Sequence, residues 1–93
     1  MIKKYLNFLI EIYSKEPSIL SPNEIQRINK KIYKIGENKP YSGKIISKHK
    51  NDQIHYEENY KNGKPFGIRK TFSLTGELKI MEKYVHGKYI KIK

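Results

Sequence analysis

The sequence contains no cysteine and few of the residue sets that support enzyme chemistry. The absence of cysteine excludes disulfides, thiolate nucleophiles and cysteine-based metal sites, and it fits a reducing interior. The single aspartate, Asp52, lies in a predicted turn, and His49, His55 and His86 lack the short spacing of a metal-binding pair. No glycine-rich phosphate loop is present. We therefore expect no enzyme activity and no catalytic residue, cofactor or metal site.

Long hydrophobic runs are also missing. No segment is long enough to span a membrane, and the apolar stretch of residues 1–10 is too short for a signal peptide. For 93 residues we expect a single domain, located in the cytoplasm. Alanine and tryptophan are absent, while lysine, isoleucine, asparagine and tyrosine are abundant. An AT-rich genome favours this composition, so we expect a bacterial or phage-encoded protein.

Acidic residues are scarce beside basic ones. Lysine and arginine number 20 against 9 acids, for a net charge of +11. A field of this size favours nucleic acid, an anionic membrane or an acidic protein as partner. Genome composition is the alternative source of the lysines, since Arg27 and Arg69 are the only arginines. Phosphate sites usually recruit arginine for its bidentate geometry, and that signal is missing.

The first part of the chain, residues 1–36, carries helical spacing of apolar residues. Residues 2–14 place one apolar stripe at Ile2, Tyr5, Leu6, Leu9, Ile12 and Tyr13. A second helix is predicted to begin at Ser21, with Pro22 in its first turn and Glu24 completing a capping box. Its apolar face would consist of Ile25, Ile28, Ile32 and Ile35, and Gly36 would end it.

After Gly36 the period of the pattern changes from 3.6 residues to 2. Three alternating runs, near residues 53–60, 67–74 and 77–84, predict half-buried strands, and residues 88–92 predict a short final one. Turn signals separate them at Asn51-Asp52, Asn62-Gly63, Thr75-Gly76 and His86-Gly87. The predicted fold class is α+β, with two N-terminal amphipathic helices packed on one face of a repeat-built antiparallel β-meander of about five strands.

The β region, residues 39–93, repeats itself with a spacing of 24 residues. Gly43 corresponds to Gly67, Glu58 to Glu82, Tyr60 to Tyr84, Gly63-Lys64 to Gly87-Lys88, and Ile54 to Leu78. A period of this size is typical of stacked supersecondary units, here about one hairpin each. The predicted structural residues of the repeat are Gly43, Tyr60, Gly63, Gly67, Phe72, Gly76, Tyr84 and Gly87.

Four motifs give this repeat a family resemblance. They are Lys39-Pro-Tyr-Ser-Gly43, Tyr60-Lys-Asn-Gly-Lys-Pro-Phe-Gly67, Phe72-Ser-Leu-Thr-Gly76 and Tyr84-Val-His-Gly-Lys88. They resemble MORN-type repeats, in the variant found in bacterial YwqK-family antitoxin-like proteins. The resemblance covers residues 39–88, and the last repeat departs from it because Lys91 stands where a second glycine would follow Gly87. It implies a row of hairpins that serves as a scaffold or binding surface without catalysis.

A basic sheet face is the predicted binding site. If Ile54, Tyr56, Ile68, Phe72, Leu78 and Ile80 face the helices, the opposite face carries His55, Arg69, Thr71, Ser73, Lys79, Lys83 and Lys91. Turn lysines add charge at the edges, namely Lys44, Lys48, Lys50, Lys61, Lys64 and Lys88. The predicted partner-binding residues are His55, Arg69, Lys79, Lys83, Lys91, Lys48, Lys50, Lys61 and Lys64.

These features lead to one main hypothesis and two alternatives. The main one is a non-enzymatic protein of antitoxin or inhibitor type. It would block a larger protein by docking its basic sheet face on an acidic surface of that protein. Such a target would be a nucleic-acid-handling enzyme, a nucleoprotein complex or a defence nuclease. The first alternative is direct binding of RNA or DNA backbone, with affinity falling steeply with salt. Membrane attachment through residues 2–14 is the weaker alternative. The exposed last strand leaves the oligomeric state open.

Overall fold

The computed structural model describes residues 18–93, and this part of the chain is built almost entirely of β-strands. Strands account for 58% of it and helix for 4%. The predicted α+β class is therefore wrong, and residues 18–93 have an all-β fold. The first predicted helix, residues 2–14, lies outside the described residues.

The described chain contains nine strands, seven of them in one sheet. They are Ile19–Leu20 (β1), Ile25–Ile28 (β2), Lys31–Lys34 (β3), Gly43–Lys48 (β4), Ile54–Lys61 (β5), Lys64–Pro65 (β6), Ile68–Phe72 (β7), Leu78–Val85 (β8) and Lys88–Lys91 (β9). The main sheet has the order β1-β4-β5-β7-β8-β9, with β6 paired to the end of β5. Only β1 and β4 are parallel, so β4 to β9 form an antiparallel meander.

The second predicted helix is replaced by one 3-10 turn and a hairpin. The capping contact exists, since the Ser21 backbone N–H donates to Glu24 Oε1 at 3.0 Å. That hydrogen bond lowers the pKa of Glu24. The helical turn, however, covers only Pro22–Glu24, and the following residues form strands β2 and β3. The prediction of a helical segment up to residue 36 is wrong beyond this turn.

The hairpin forms for local and long-range reasons. Isoleucine is β-branched and prefers strands to helices when its side chain has a packing partner. Asn29 and Lys30 have φ of 50° and 68°, and a two-residue hairpin turn needs positive φ at both positions. The backbone of Ile32 is bound by distant residues, because it donates to Gly63 O at 3.0 Å and accepts from Tyr41 N at 2.9 Å. A continuous helix would have used these groups internally.

The hydrophobic core is small and lies at one end of the sheet, where the β2–β3 hairpin packs on β1, β4 and β5. Its buried residues are Leu20, Ile32, Tyr41, Ile45 and Tyr60, with Ile25 packed against them. The Tyr41 hydroxyl donates to Lys44 O at 2.8 Å, which ties the core to β4. No residue from 68 to 93 is buried. Strands β7, β8 and β9 are thus uncovered by the described chain.

The 24-residue period of the sequence is present in the strands and hairpin turns. Strands β5 and β8 are both 8 residues long, and they begin 24 positions apart. The turn at Asn62-Gly63 has φ of 50° and 80°, and the turn at His86-Gly87 has 48° and 85°. All five glycines assigned to the repeat, Gly43, Gly63, Gly67, Gly76 and Gly87, have positive φ.

The period also appears in the loops at the other end of the sheet. His49 N donates to Gln53 O at 2.8 Å, and 24 positions later Ser73 N donates to Glu77 O at the same distance. The strand register of each repeat shifts once, after Ser47 in the β4–β5 pair and after Thr71 in the β7–β8 pair. Each shift leaves one extra residue on the second strand of the pair. Such bulges increase twist and change the phase of the side chains.

Candidate functional site

The strand register divides the side chains of the sheet into two faces. Residues directly opposite each other on neighbouring strands share a face. Ile46 is opposite Glu57, Glu57 is opposite Lys70, and Lys70 is opposite Met81. Following this register and the alternation along each strand, one face, here called the lysine face, carries Lys44, Lys48, Lys61, Lys64, Lys70, Lys83 and Lys88.

Aliphatic side chains separate these lysines. The lysine face also holds Ile46, Ile54, Ile68, Met81, Val85 and Ile90, none of which is buried. A shallow depression of about 280 Å³ lies among Lys44, Glu57, Asn59, Ile68, Lys70 and Met81. Lys44 Nζ is 3.6 Å from Glu57 Oε2. Within residues 18–93 the other six lysines of this face make no ion pair. The face is both positive and partly apolar.

The opposite face carries the tyrosines and is called the tyrosine face. It holds Tyr56, Tyr60, Tyr84 and Tyr89 together with Glu58, Arg69 and Glu82. Tyr56, Glu58, Arg69, Thr71, Ile80 and Glu82 line a shallow depression of about 480 Å³ on it. The aromatic rings thus occur together with the Glu58, Arg69 and Glu82 charges on this face, on the side of the sheet opposite to the seven lysines.

Arg69 is engaged on several sides within the tyrosine face. Its Nε donates to Glu82 Oε1 at 3.0 Å, and its NH1 lies 3.7 Å from Glu58 Oε2. Its guanidinium carbon lies 3.6 Å from the ring centroid of Tyr89, a cation–π contact. The hydrogen bond to Glu82 raises the pKa of Arg69 further. Arg69 therefore holds the sheet together more than it offers charge to a partner.

The other arginine, Arg27, affects the pKa of Tyr60 on the tyrosine face. Burial raises the pKa of Tyr60, and the Glu58 carboxylate raises it further. Arg27, in the β2–β3 hairpin, lowers it. Arg69 thus pairs with two glutamates and stacks on a tyrosine. Arginine suits such stacked and multiply bonded positions better than lysine.

The structure brings only part of the predicted basic site together. Lys48, Lys61, Lys64 and Lys83 lie on the lysine face. Arg69 and Lys91 do not, because Arg69 is opposite Glu82 and Glu82 is opposite Lys91. The predicted phase of β7 was wrong: Tyr56 is opposite Thr71, so Tyr56 shares a face with Arg69 rather than with Ile68.

The remaining predicted residues lie at irregular positions. His55 and Lys79 are the extra residues of the two bulges, exactly one repeat apart. Lys79 Nζ also lies 3.2 Å from Glu77 Oε2. Lys50 lies in the turn between β4 and β5. These three side chains therefore belong to the loop end of the sheet.

Sequence reasoning missed three members of the lysine face. Lys70 was assigned to the helix-facing side, and Lys44 and Lys88 were assigned to turns and edges, whereas Lys44 and Lys70 lie at its centre. The pattern of charges in the sequence could have shown that the arginine lies on the other face. Glu58 and Glu82 occupy equivalent repeat positions, and an arginine on the strand between them pairs best on their face.

Two of the histidines lie side by side in the described residues. His49 and His55 are closer than their spacing suggested, with ring centroids 4.3 Å apart, and His49 Nε2 lies 3.0 Å from Phe72 O. Between residues 18 and 93, no three or more potential ligands come together around a metal ion position. In the same residues, no helix has the length and apolar character needed to cross a membrane.

Comparison with known proteins adds no relative. No family model matches the chain, and neither a curated protein nor a solved structure matches it. The resemblance to MORN-type repeats and to antitoxin-like proteins therefore stays a prediction from the sequence.

Proposed function

We propose that this chain is a binding protein of inhibitor or antitoxin type, which places its lysine face on an acidic surface of a larger protein in the cytoplasm. The observation that carries the proposal is the set of seven lysines on one face beside a single glutamate, Glu57. The proposed action is occupancy of the partner's surface. MORN-type repeats, which the sequence resembles, are used as scaffolds in the same sense.

The apolar residues between the lysines favour a protein partner. The rows across the sheet alternate the two kinds of side chain, for example Lys83 between Ile68 and Ile90. Protein interfaces combine an apolar centre with complementary charges around it. A phosphate backbone offers acceptors for lysine but nothing for isoleucine or methionine to contact.

The position of the tyrosines argues against the nucleic-acid alternative. Single-stranded nucleic acid is usually held in a groove that combines positive charge with aromatic rings for base stacking. Here Tyr56, Tyr60, Tyr84 and Tyr89 lie on the face opposite to the lysines. Arg69 is used by Glu58 and Glu82, so it is not available to phosphates. These four tyrosines and the lysines therefore cannot act on one strand together.

Purification of the tagged full chain from its host tests the proposal when wild type and two double variants are compared. Lys70→Glu with Lys83→Glu reverses two charges at the centre of the lysine face. Lys34→Glu with Lys39→Glu reverses two exposed charges next to the core, with the same change in net charge. We expect the first pair to weaken binding of one stoichiometric protein roughly tenfold or more, and the second to change it little.

Nuclease treatment distinguishes binding of a protein partner from direct binding of nucleic acid. A protein partner that survives nuclease and is lost only with Lys70→Glu and Lys83→Glu supports the inhibitor reading. Equal loss with both double variants would mean that total charge, rather than this face, controls binding. Recovery of nucleic acid alone, removed by nuclease or by moderate salt, would overturn the proposal in favour of direct nucleic-acid binding.

A further inference from the structure

The outer side of strand β9 is an open edge of the main sheet. Among residues 18–93 no strand lies beyond β9, and its residues Lys88–Lys91 pair with β8 on one side only. An edge strand offers a row of N–H and C=O groups to which another extended chain can bind. We propose that β9 receives an extended acidic segment of a protein partner as an additional strand of the sheet.

The hydrogen bonding of the β8–β9 hairpin shows which backbone groups of this edge point outward. Ile92 N donates to Met81 O at 2.8 Å, so the backbone of Ile92 faces β8. Along an antiparallel strand the residues alternate between facing one neighbour and facing the other. Tyr89 and Lys91 therefore direct their N–H and C=O groups away from β8. An added strand would bond to these groups without breaking any hydrogen bond of the hairpin.

Strand β9 is more suitable for pairing than the opposite edge of the sheet. Strand β1 has only 2 residues, and a 3-10 turn that starts at Pro22 follows it. Strand β9 has 4 residues and no proline, and its register with β8 has no shift. Short strands, prolines and bulges are devices that protect an edge from pairing, and lysine is another. Only lysine is used at β9.

The charges around this edge favour an acidic segment as the added strand. Residues 83–93 contain four lysines and no acid. None of the four makes an ion pair within residues 18–93. Glu82, directly opposite Lys91, is instead hydrogen-bonded by Arg69 Nε at 3.0 Å. Aspartates or glutamates on a neighbouring strand would lie beside the lysines, and opposite charges on adjacent strands stabilise their pairing.

The same charges oppose pairing with a second copy of this chain. Two β9 strands side by side would bring the four lysines of each copy together without an acid between them. Such repulsion opposes self-association. Docking of an acidic strand deepens the proposed function and rests on it for the acidic partner. It uses the backbone groups of an edge, whereas the proposed function uses the side chains of the lysine face.

Amide hydrogen exchange of the full chain with a probe peptide tests the proposal. The probe is a capped peptide of four Glu-Val units, and its control is the same sequence N-methylated along the backbone, which keeps the charge and removes the N–H donors. At near-saturating concentration we expect the probe to slow exchange at Tyr89 and Lys91 roughly tenfold, and the control to leave it unchanged. Ile90, whose N–H faces β8, reports whether the hairpin is intact. Binding of the probe without slower exchange at Tyr89 and Lys91 would overturn the proposal.

Two substitutions of Lys91 separate the outward N–H from the charge. Lys91→Pro removes both, at a position where a proline is tolerated because its N–H faces solvent. Lys91→Gln removes the charge and keeps the N–H. We expect Lys91→Pro to weaken binding of the probe roughly tenfold more than Lys91→Gln does, in calorimetric titrations at one salt concentration. Equal weakening would mean that charge alone controls binding and would overturn the added strand. Urea unfolding checks that both variants are folded, and if Lys91→Pro is not, the exchange experiment on the wild type decides.

Exchange measured without the probe covers the remaining occupants of the edge. Slow exchange at Tyr89 and Lys91 that depends on protein concentration would replace the proposal with pairing of two copies. Slow exchange that does not depend on it would mean that the same chain already covers the edge, which would also overturn the proposal. The test of the proposed function stays separate. Loss of the native partner with Lys70→Glu and Lys83→Glu, but not with Lys91→Pro, would retain that function and reject the edge site.

Discussion

The two hairpin turns at Asn62-Gly63 and His86-Gly87 are one repeat apart and have nearly the same backbone, but their surroundings differ. Gly63 is buried, and a Cβ there would lie 2.8 Å from Lys31 Cβ and 3.1 Å from both Ile32 O and Pro40 Cβ. At Gly87 no atom of the described chain, apart from the glycine and its two chain neighbours, lies within 4 Å of that position. The repeat thus determines the conformation of both turns. The burial of Gly63 comes instead from residues 31–40, which precede the repeat in the chain.

This difference extends to the two repeat units to which the turns belong, the first unit at residues 43–66 and the second unit at residues 67–90. Ile45 and Tyr60, in the first unit, are part of the core. Their equivalents 24 positions later are Arg69, which binds two glutamates, and Tyr84, which is half-buried. One copy of the repeat is therefore used for hydrophobic packing and the other for polar contacts. A repeat with only one covered copy has its unoccupied faces available for binding.

The largest effect is expected from truncating the same residue type in the two units. Ile45 is 2% exposed, so Ile45→Ala should leave a cavity and lower the free energy of unfolding by roughly 4 kcal/mol. Ile80, on the same face of β8, is 37% exposed, and Ile80→Ala should cost only about 1.5 kcal/mol. Urea unfolding of both variants measures the difference. Similar losses would mean that something covers the second unit in solution.

The two turn glycines provide the next test. Gly63→Ala would combine a left-handed backbone with the three close contacts, and we expect a loss of about 3 kcal/mol. Gly87→Ala would make no close contact and would have only the strain of an alanine at a φ of 85°. A loss of about 1 kcal/mol in the free energy of unfolding is therefore expected. Thermal or urea unfolding gives both values. If the two substitutions cost the same, packing of the hairpin on Gly63 contributes little.

Much of the β region could be predicted from the sequence because its determinants are local. Alternation and turn residues placed strands near those observed as β5, β7, β8 and β9. The hairpin at residues 25–34 could not be predicted in the same way. Its isoleucines fit a helical stripe, and the decisive hydrogen bond, from Ile32 N to Gly63 O, joins residues far apart in sequence.

The sequence predicted a lysine-rich sheet face, but it did not predict which lysines share that face. Which lysines share a face depends on how the strands are aligned, and each unit contains a bulge, at His55 and at Lys79, that changes the phase. Alternation within one strand cannot reveal this shift. Arg69 was consequently placed with the lysines, although Glu58 and Glu82 hold it on the other face.

The smallest effect concerns two tyrosine hydroxyls of the tyrosine face. Tyr60 in the first unit has its hydroxyl 3.5 Å from Glu58 Oε2, whereas the buried Tyr89 hydroxyl has no hydrogen-bond partner among residues 18–93. Tyr89→Phe keeps the ring that Arg69 contacts and removes the unpaired group. We therefore expect the free energy of unfolding at neutral pH to rise by about 1 kcal/mol, and Tyr60→Phe to lower it slightly.

The pH dependence of the Tyr89→Phe effect is a stricter test. Burial raises the pKa of Tyr89 from 10.0 to about 12, so the folded state keeps the hydroxyl neutral where the unfolded chain ionises. The stability that this neutral group provides is complete below pH 10 and is lost as the pH rises toward 12. Tyr89→Phe lacks this loss, so its advantage over wild type should grow across that interval. Urea unfolding at a series of pH values measures it, and an advantage that stays constant or shrinks would mean that the Tyr89 hydroxyl reaches water.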